Sequence, residues 1–175
     1  MKRICLLFTL CGLCSCANRV DRLPNSFLSI SEQQPALSGN GEKLAVIVNQ
    51  LGKQTVQLKE TSTGKKFSLR HLSRHQPHSS PSLSWNGRYL AVITQRGNRR
   101  VAIIEDRLTG NHHFLRMPGE KVPIRLSLSP DASMIAIQVA ENGKWRIQFF
   151  DLRRVLESEV VQGFRSNQIL KGKNL

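Results

Sequence analysis

Short apolar runs recur along the chain, and each follows a cluster of small and polar residues, which includes glycine before the first two runs. Three of the runs are nearly continuous: LAVIV at 44–48, LAVIT at 90–94 and MIAIQV at 134–139. Runs of this length predict inner β-strands that are buried on both faces. Asn-Gly precedes the first two runs and predicts a tight hairpin turn, whereas Asp131-Ala132 precedes the third and is a weaker turn signal, because Ala resists positive φ.

An internal repeat relates the three runs. Residues 35–47 (PALSGNGEKLAVI) match residues 81–93 (PSLSWNGRYLAVI) at a constant shift of 46, and a third copy begins at Leu126 with a shift of 45. In each copy a glycine-containing loop and a third strand follow the apolar run, and an outer strand is expected after them. Four short strands per copy predict an all-β fold of three propeller-like blades. The predicted blades are 35–72, 81–117 and 126–162, with a last outer strand around Val160-Val161.

The repeated motif consists of Ser, any residue, Asn or Asp, usually Gly, two further residues and an apolar strand, with Thr-Gly downstream in two copies. It resembles the WD-repeat-like blade of the propeller domain of TolB-type periplasmic proteins, over about residues 35 to 152. The resemblance implies a β-propeller that serves as a scaffold for envelope proteins or a translocation complex.

The number of blades raises the question of closure, since propellers close with about 4 to 8 blades. Three blades form either an open, curved stack or half of a six-bladed ring that a second chain completes. We expect two chains to associate as a homodimer, because unpaired blade faces would expose apolar surface.

The N-terminus predicts a targeting segment. Lys2 and Arg3 precede an apolar run at 4–13, which suits a signal peptide and is too short to span a bilayer. The run ends in Leu-Cys-Ser-Cys at 13–16, which resembles the lipobox of bacterial lipoproteins. The resemblance implies that Cys16 carries a lipid and begins the mature chain. An ordinary secretory peptide and an uncleaved anchor are the alternatives.

These interpretations divide the chain into four parts. They are a signal peptide at 1–15, a lipidated linker at 16–26, a repeat domain at 27–162 that begins with a strand at 27–30, and a C-terminal tail at 163–175. The expected location is the bacterial cell envelope, with the lipid in a membrane and the protein facing the periplasm. All four cysteines lie within the first 16 residues, so one mature chain would have no internal disulfide and no cysteine-based metal site.

The chain is strongly basic, with a formal net charge of +14. Residues 65–125 contain twelve Lys or Arg and three Asp or Glu. Such a field favours anionic partners such as lipid headgroups, acidic glycans or nucleic acid, although charged side chains also keep exposed edge strands from aggregating. One Tyr and two Trp are too few for base stacking, which argues against nucleic acid.

Candidate chemistry is sparse. His71, His75 and His78 lie in a linker, and the adjacent His112 and His113 would point to opposite faces of a strand, so we predict no metal site and no cofactor. A Gly-x-Ser-x-Gly elbow and an acid–base pair are both missing, so we predict that the protein is not an enzyme. The repeated serines and the repeated Asn or Asp are expected to bond the turn backbone. These residues are Ser38, Ser84 and Ser129, with Asn40, Asn86 and Asp131.

Partner contacts are predicted on the second copy. Trp85 stands where the other copies have Gly39 and Pro130, and it either anchors a partner or packs between blades. The predicted partner-binding residues are Trp85, Arg88, Arg96, Arg99, Arg100 and Arg107. Trp145 is expected in the core. The first functional hypothesis is a protein-interaction or scaffold module, and the alternative is binding of an anionic envelope polymer or lipid surface.

Overall fold

The computed structural model describes residues 31–50, 52–72 and 76–162, in which every regular element is a β-strand. Eleven strands form three antiparallel sheets, which confirms the predicted all-β fold with propeller-like blades. The predicted signal peptide, linker, first strand and C-terminal tail lie outside the described residues. In the described part of the chain, no helix is long and apolar enough to cross a membrane.

The strands follow one another through the three blades, and consecutive strands pair. Blade 1 contains β1 (Glu32–Leu37), β2 (Lys43–Gln50), β3 (Lys53–Glu60) and β4 (Lys66–Phe67). Blade 2 contains β5 (His78–Leu83), β6 (Tyr89–Arg96), β7 (Arg99–Asp106) and β8 (His112–Leu115). Blade 3 contains β9 (Val122–Leu128), β10 (Met134–Glu141) and β11 (Lys144–Asp151).

Blade 3 has three strands within residues 122–162, so the outer strand predicted around Val160-Val161 is absent there. After β11 the chain turns at Leu152, whose carbonyl accepts a hydrogen bond from the Leu156 N–H at 2.8 Å. Both leucines are buried, and the Glu159 N–H then donates to the Asp131 carbonyl at 2.9 Å. These contacts draw the segment away from the edge of β11 and toward the turns of blades 2 and 3.

The inner strands of the first two blades, β2 and β6, are buried on both faces, as predicted. The inner strand of the third blade, β10, is buried on one face only. Continuous burial covers 45–48 in β2 and 89–94 in β6. In β10 only alternate residues are buried, because one face packs on blade 2 and the other meets no sheet in the described part of the chain. The expectation that Trp145 belongs to the core is therefore wrong, since β11 places it on that open face with 71% exposure.

Two apolar layers join the blades. The layer between blades 1 and 2 includes Ala45, Ile47, Leu58, Leu90, Val92 and Ile103. The layer between blades 2 and 3 includes Ala91, Ile93, Ile104, Leu128, Ile135 and Ile137. Alternate residues of β6 therefore face opposite neighbours, which explains its continuous burial.

The repeated serines hold the turns between the first and second strands, as predicted. In each blade the hydroxyl oxygen accepts the backbone N–H of the residue five positions later. The distances are 2.9 Å for Ser38, 2.9 Å for Ser84 and 3.0 Å for Ser129. Gly41 and Gly87 have φ angles of 75° and 62°, and Ala132 adopts 58° at the same position of blade 3.

The repeated Asn or Asp caps the turn in blades 1 and 3 but not in blade 2. In blade 1, Asn40 Oδ1 accepts the hydroxyl of the turn serine at 2.8 Å and a backbone N–H at 3.1 Å. Asp131 Oδ1 makes the same two contacts in blade 3, at 2.6 and 3.0 Å. In blade 2, Asn86 is exposed, and the buried carboxylate of Glu159 supplies the acceptor instead.

Candidate functional site

Side chains join the first strands of the three blades, β1, β5 and β9. Gln34 and Ser80 occupy equivalent β-bulges, with φ angles of 50° and 52°. Gln34 Oε1 accepts the Ser80 N–H at 2.6 Å, and Ser80 Oγ accepts the Leu126 N–H of β9 at 2.9 Å. The bulges therefore direct polar groups from one blade to the next instead of along their own sheet.

A cleft of about 460 Å³ opens beside these bulges. Two prolines and an isoleucine of the first strands form its apolar walls. Its polar lining residues are Gln34, Ser79, Ser80, Arg100 and Arg125. All three blades therefore contribute to one concave surface.

Positive charge dominates the cleft. Arg100 of β7 reaches across β6, and its Nη2 donates to Ser79 Oγ at 2.9 Å. Arg125 of β9 is exposed. Among the described residues, neither guanidinium has a carboxylate within ion-pair distance, and none of the lining residues is acidic. Several N–H donors of both groups therefore remain free to bind an anionic ligand.

The six predicted partner-binding residues fall into two groups. Where β6 begins and β7 ends lie Trp85, Arg88 and Arg107. At the opposite end, in and beside the β6–β7 hairpin, lie Arg96, Arg99 and Arg100. The length of β6 separates the two groups by about 23 Å, because a strand rises about 3.3 Å per residue. The basic surface expected from sequence order is therefore divided between two ends of blade 2.

Trp85 lies between blades 1 and 2, in agreement with the packing alternative. Its ring covers Gly39 so closely that a Cβ at residue 39 would lie 2.3 Å from the ring carbon Cε3. The Trp85 carbonyl accepts the Asn40 N–H at 3.0 Å, and its own N–H donates to the Pro130 carbonyl at 2.7 Å. Trp85 thus connects the turns of all three blades, and a role in partner binding stays a prediction.

Arg88 and Arg107 are held within the fold. Arg88 forms ion pairs of 2.8 Å with Asp106 and with Glu157. Burial opposes ionisation of Asp106, but hydrogen bonds from Arg88 and the adjacent turn outweigh it, so the pKa of Asp106 lies below its ordinary value. Burial lowers the pKa of Arg107, whose guanidinium lies 4.6 Å from the centre of the Phe67 ring.

Arg100 is the member of the predicted set that lines the cleft, whereas Arg96 and Arg99 are exposed beside it. Sequence reasoning missed Arg125 and the bulge residues. The repeat alignment contained the signal, since positions 34, 80 and 125 are equivalent at shifts of 46 and 45.

The histidines form one close pair. The rings of His71 and His112 lie 4.1 Å apart, and Nε2 of His71 lies 2.6 Å from the Gly110 carbonyl oxygen. His112 and His113 face opposite sides of β8, as predicted, and His75 lies outside the described residues. Within residues 31–50, 52–72 and 76–162, no cluster of three or more His, Cys, Asp or Glu side chains could hold a metal ion.

His78, at the start of β5, is buried between blades 1 and 2. Its Nδ1 accepts the Val56 N–H at 3.2 Å, and its Nε2 has no hydrogen-bond partner among the described residues. Burial lowers the pKa of His78 to about 4. The ring therefore acts as a neutral acceptor for the edge of β3.

No protein-family model matches the chain, and no curated protein matches its sequence. TolB from Acinetobacter baumannii matches its structure with a TM-score of 0.56 at 17% identity, over 69% of this chain and 30% of that chain. A protein assigned as TolB in Agrobacterium tumefaciens matches with a TM-score of 0.56 at 14% identity, over 71% of this chain and 46% of that chain. The chain has a TolB-like β-propeller fold.

The TolB-like fold confirms the resemblance found in the repeats. The propeller domain of the Trilobed protease from Pyrococcus furiosus is also similar, with a TM-score of 0.55 at 13% identity, over 75% of this chain and 41% of that chain. This chain thus spans less than half of each of these three proteins. Its three sheets form an open stack and do not close into a ring.

Proposed function

We propose that this chain is a non-catalytic protein-interaction module of the bacterial cell envelope, anchored through Cys16. The observation that carries the proposal is the cleft shared by three blades, in which Arg100 and Arg125 have no acidic partner among the described residues. A guanidinium group pairs with a carboxylate through two parallel hydrogen bonds. The ligand is therefore an acidic segment of another envelope protein, which presents Asp or Glu side chains or a C-terminal carboxylate.

The chemistry of the cleft supports binding over catalysis. Its polar groups are guanidinium groups, hydroxyls and an amide, which orient and pair with an anion. No residue in the lining could act as a general base for a neighbouring nucleophile. The TolB-like fold supports the envelope location, and a lipid on Cys16 would keep the cleft close to a membrane.

Crosslinking in the native envelope followed by mass spectrometry tests this function. The test variant carries Arg100→Gln and Arg125→Gln. The matched control carries Arg146→Gln and Arg154→Gln, which remove the same charge from exposed positions of blade 3 and the segment after it. We expect the test variant to lose its crosslinked protein partner and the control to keep it. Full capture by the test variant would overturn the assignment of the cleft.

A second arm separates the cleft from the hairpin beside it. Arg96→Ser with Arg99→Ser removes the two exposed charges of the β6–β7 hairpin and leaves the cleft intact. If this variant still captures the partner, the result supports binding in the cleft. If capture is lost here but kept when Arg100 and Arg125 are replaced, the result contradicts binding in the cleft.

Binding of an anionic polymer or lipid surface is the competing function, since the net charge of +14 attracts any such surface. It predicts that Cys16→Ser protein binds acidic vesicles or glycan with a strong salt dependence. It also predicts that the Arg100/Arg125 variant and the Arg146/Arg154 control lose the same amount of binding, because net charge would then matter more than the position of each arginine.

A further inference from the structure

The outer face of blade 3 is an exposed apolar surface. It is formed by β10 and β11, where Trp145, Ile147 and Phe149 occupy alternate positions and are 71%, 56% and 68% exposed. Met134 adds to it with 44% exposure. The β10–β11 register places Phe149 opposite Ala136, so these side chains share one face of the sheet.

The repeat shows how this chain uses equivalent faces elsewhere. The pair Ala136 and Phe149 corresponds to Ala91 with Ile104 in blade 2 and to Ala45 with Leu58 in blade 1. Each of those two pairs is completely buried against the next blade. The outer face of blade 3 therefore has the chemistry of a surface that packs against another sheet.

The opposite end of the stack differs. The outer face of blade 1 carries Val46, Val48 and Thr55, which are only 2%, 1% and 2% exposed. A six-bladed ring would require the blade 3 face of one chain to pack on this blade 1 face of another chain. The two ends of the stack therefore differ in exposed apolar surface, and a ring and a same-face dimer differ in which residues would meet across the interface.

We propose that the outer face of blade 3 is a dimer interface that packs on the same face of a second copy of this chain. A two-fold arrangement needs one self-complementary patch, which an apolar face provides. On this face β10 and β11 contribute one charged side chain, Asp151, which is paired with Arg153 of its own chain, and β9 contributes the exposed Arg125 opposite Gln138. The charge on this face is thus limited to Asp151 and Arg125, and its other strand residues are apolar or uncharged.

The area of the face is sufficient for a reversible dimer. A large aromatic side chain buries about 150–250 Å², so the four exposed side chains would bury on the order of 500 Å² per copy. Two copies would bury about 1,000 Å² before the alanines and Gln138 are counted, which approaches the lower limit of about 1,200 Å² for specific interfaces. We expect association that depends on concentration, instead of a permanent dimer.

Sedimentation velocity of the Cys16→Ser chain over a range of concentrations tests the proposal without any contribution from a lipid. We expect a monomer–dimer equilibrium that Ile147→Glu and Phe149→Glu each weaken on the order of tenfold or more, because a carboxylate would be buried in the interface. The matched control is Leu108→Glu, which puts the same charge at a residue with 75% exposure in the β7–β8 turn. Circular dichroism verifies that all variants fold.

Disulfide crosslinking distinguishes the symmetric dimer from a ring. In a chain with Cys5, Cys11, Cys14 and Cys16 changed to Ser, Ile147→Cys should crosslink to its own copy in the partner, whereas Leu108→Cys should not. A wild-type chain that stays monomeric at high concentration would overturn the proposal. So would a dimer that Ile147→Glu and Phe149→Glu leave intact, or one in which residue 147 never crosslinks to itself.

Discussion

The carboxylate oxygen Oε1 of Glu159 lies 2.7 Å from the hydroxyl oxygen of Ser84, which is 75 residues earlier in the chain. The same carboxylate accepts the backbone N–H groups of Asn86 at 2.7 Å and of Arg88 at 3.2 Å. In the other two blades the turn supplies its own acceptor from Asn40 or Asp131. The segment after β11 therefore completes the turn of blade 2 and ties blade 3 to it.

Replacing Glu159 by Ala should destabilise the fold by about 1–3 kcal/mol, because three buried or half-buried donors lose their acceptor. Glu159→Gln keeps one acceptor oxygen and should cost less. Urea denaturation at neutral pH measures both effects. The control is Glu157→Gln, which breaks an exposed ion pair with Arg88 and should cost no more than about 1 kcal/mol. Equal stability of Glu159→Ala and wild type would contradict the role of this contact.

The contact of Trp85 with Gly39 should make residue 39 intolerant of a side chain. A Cβ there would lie 2.3 Å from the indole ring, so Gly39→Ala should destabilise the protein by about 1–3 kcal/mol through a forced shift of the ring. In a Trp85→Ala background the three nearest atoms, all of the indole ring, are removed, so the same change should cost much less. A double-mutant cycle of thermal or urea unfolding measures the coupling. Additive effects would show that the ring does not rest on Gly39.

His78 should make stability depend on pH between about 4 and 6.5. Its pKa is about 4 in the folded protein and 6.5 as the ordinary value, so the unfolded chain binds more protons in this range. Stability is therefore fully present above pH 6.5 and falls as the pH drops toward 4, by on the order of 2–3 kcal/mol.

His78→Asn tests this, because the Asn oxygen can accept the Val56 N–H and does not titrate. Unfolding midpoints measured between pH 7 and 4 should fall less for this variant than for wild type. Acidic side chains affect both proteins alike, so the difference between the two curves isolates the histidine. Parallel curves would contradict the prediction.

Lipidation of Cys16 stays a prediction of the N-terminal pattern, and it can be tested by fractionation. Cys16→Ser should move the protein from the membrane fraction to the soluble fraction, because each buried methylene of a lipid chain contributes about 0.8 kcal/mol to partitioning. Cys14→Ser is the matched control and should leave the protein in the membrane. A Cys16→Ser protein that stays with the membrane would point to an uncleaved anchor instead.

Local pattern predicted the blades well because the relevant physics is local. An Asn-Gly turn between apolar runs sets a hairpin within a dozen residues, and repeated serines bond an N–H five residues away. The predictions failed where a distant group intervened. The segment from Leu152 to Glu159 turns back to blade 2 instead of forming an outer strand, because burial of two leucines and the contacts of Glu159 are satisfied there.

The binding cleft was only partly predictable for the same reason. Arg100 was among the basic residues expected at a partner surface, but Arg125 joins it only because β9 lies beside β5 in the folded chain. Arg88 and Arg107 belong to the same basic run in sequence, yet the length of β6 places them at the other end of the blade. There Arg88 pairs with Asp106 and Glu157, and Arg107 packs on the Phe67 ring.

The sequence by itself determined the repeat, the strand order within each blade and the turn chemistry, since each depends on residues that are close along the chain. The tertiary structure alone decided which faces are covered, which arginines meet in one cleft, and that Glu159 replaces Asn86 as the acceptor at the second turn. Burial and ion pairing depend on the distance between residues in space, and the stacking of blades sets that distance independently of separation along the chain.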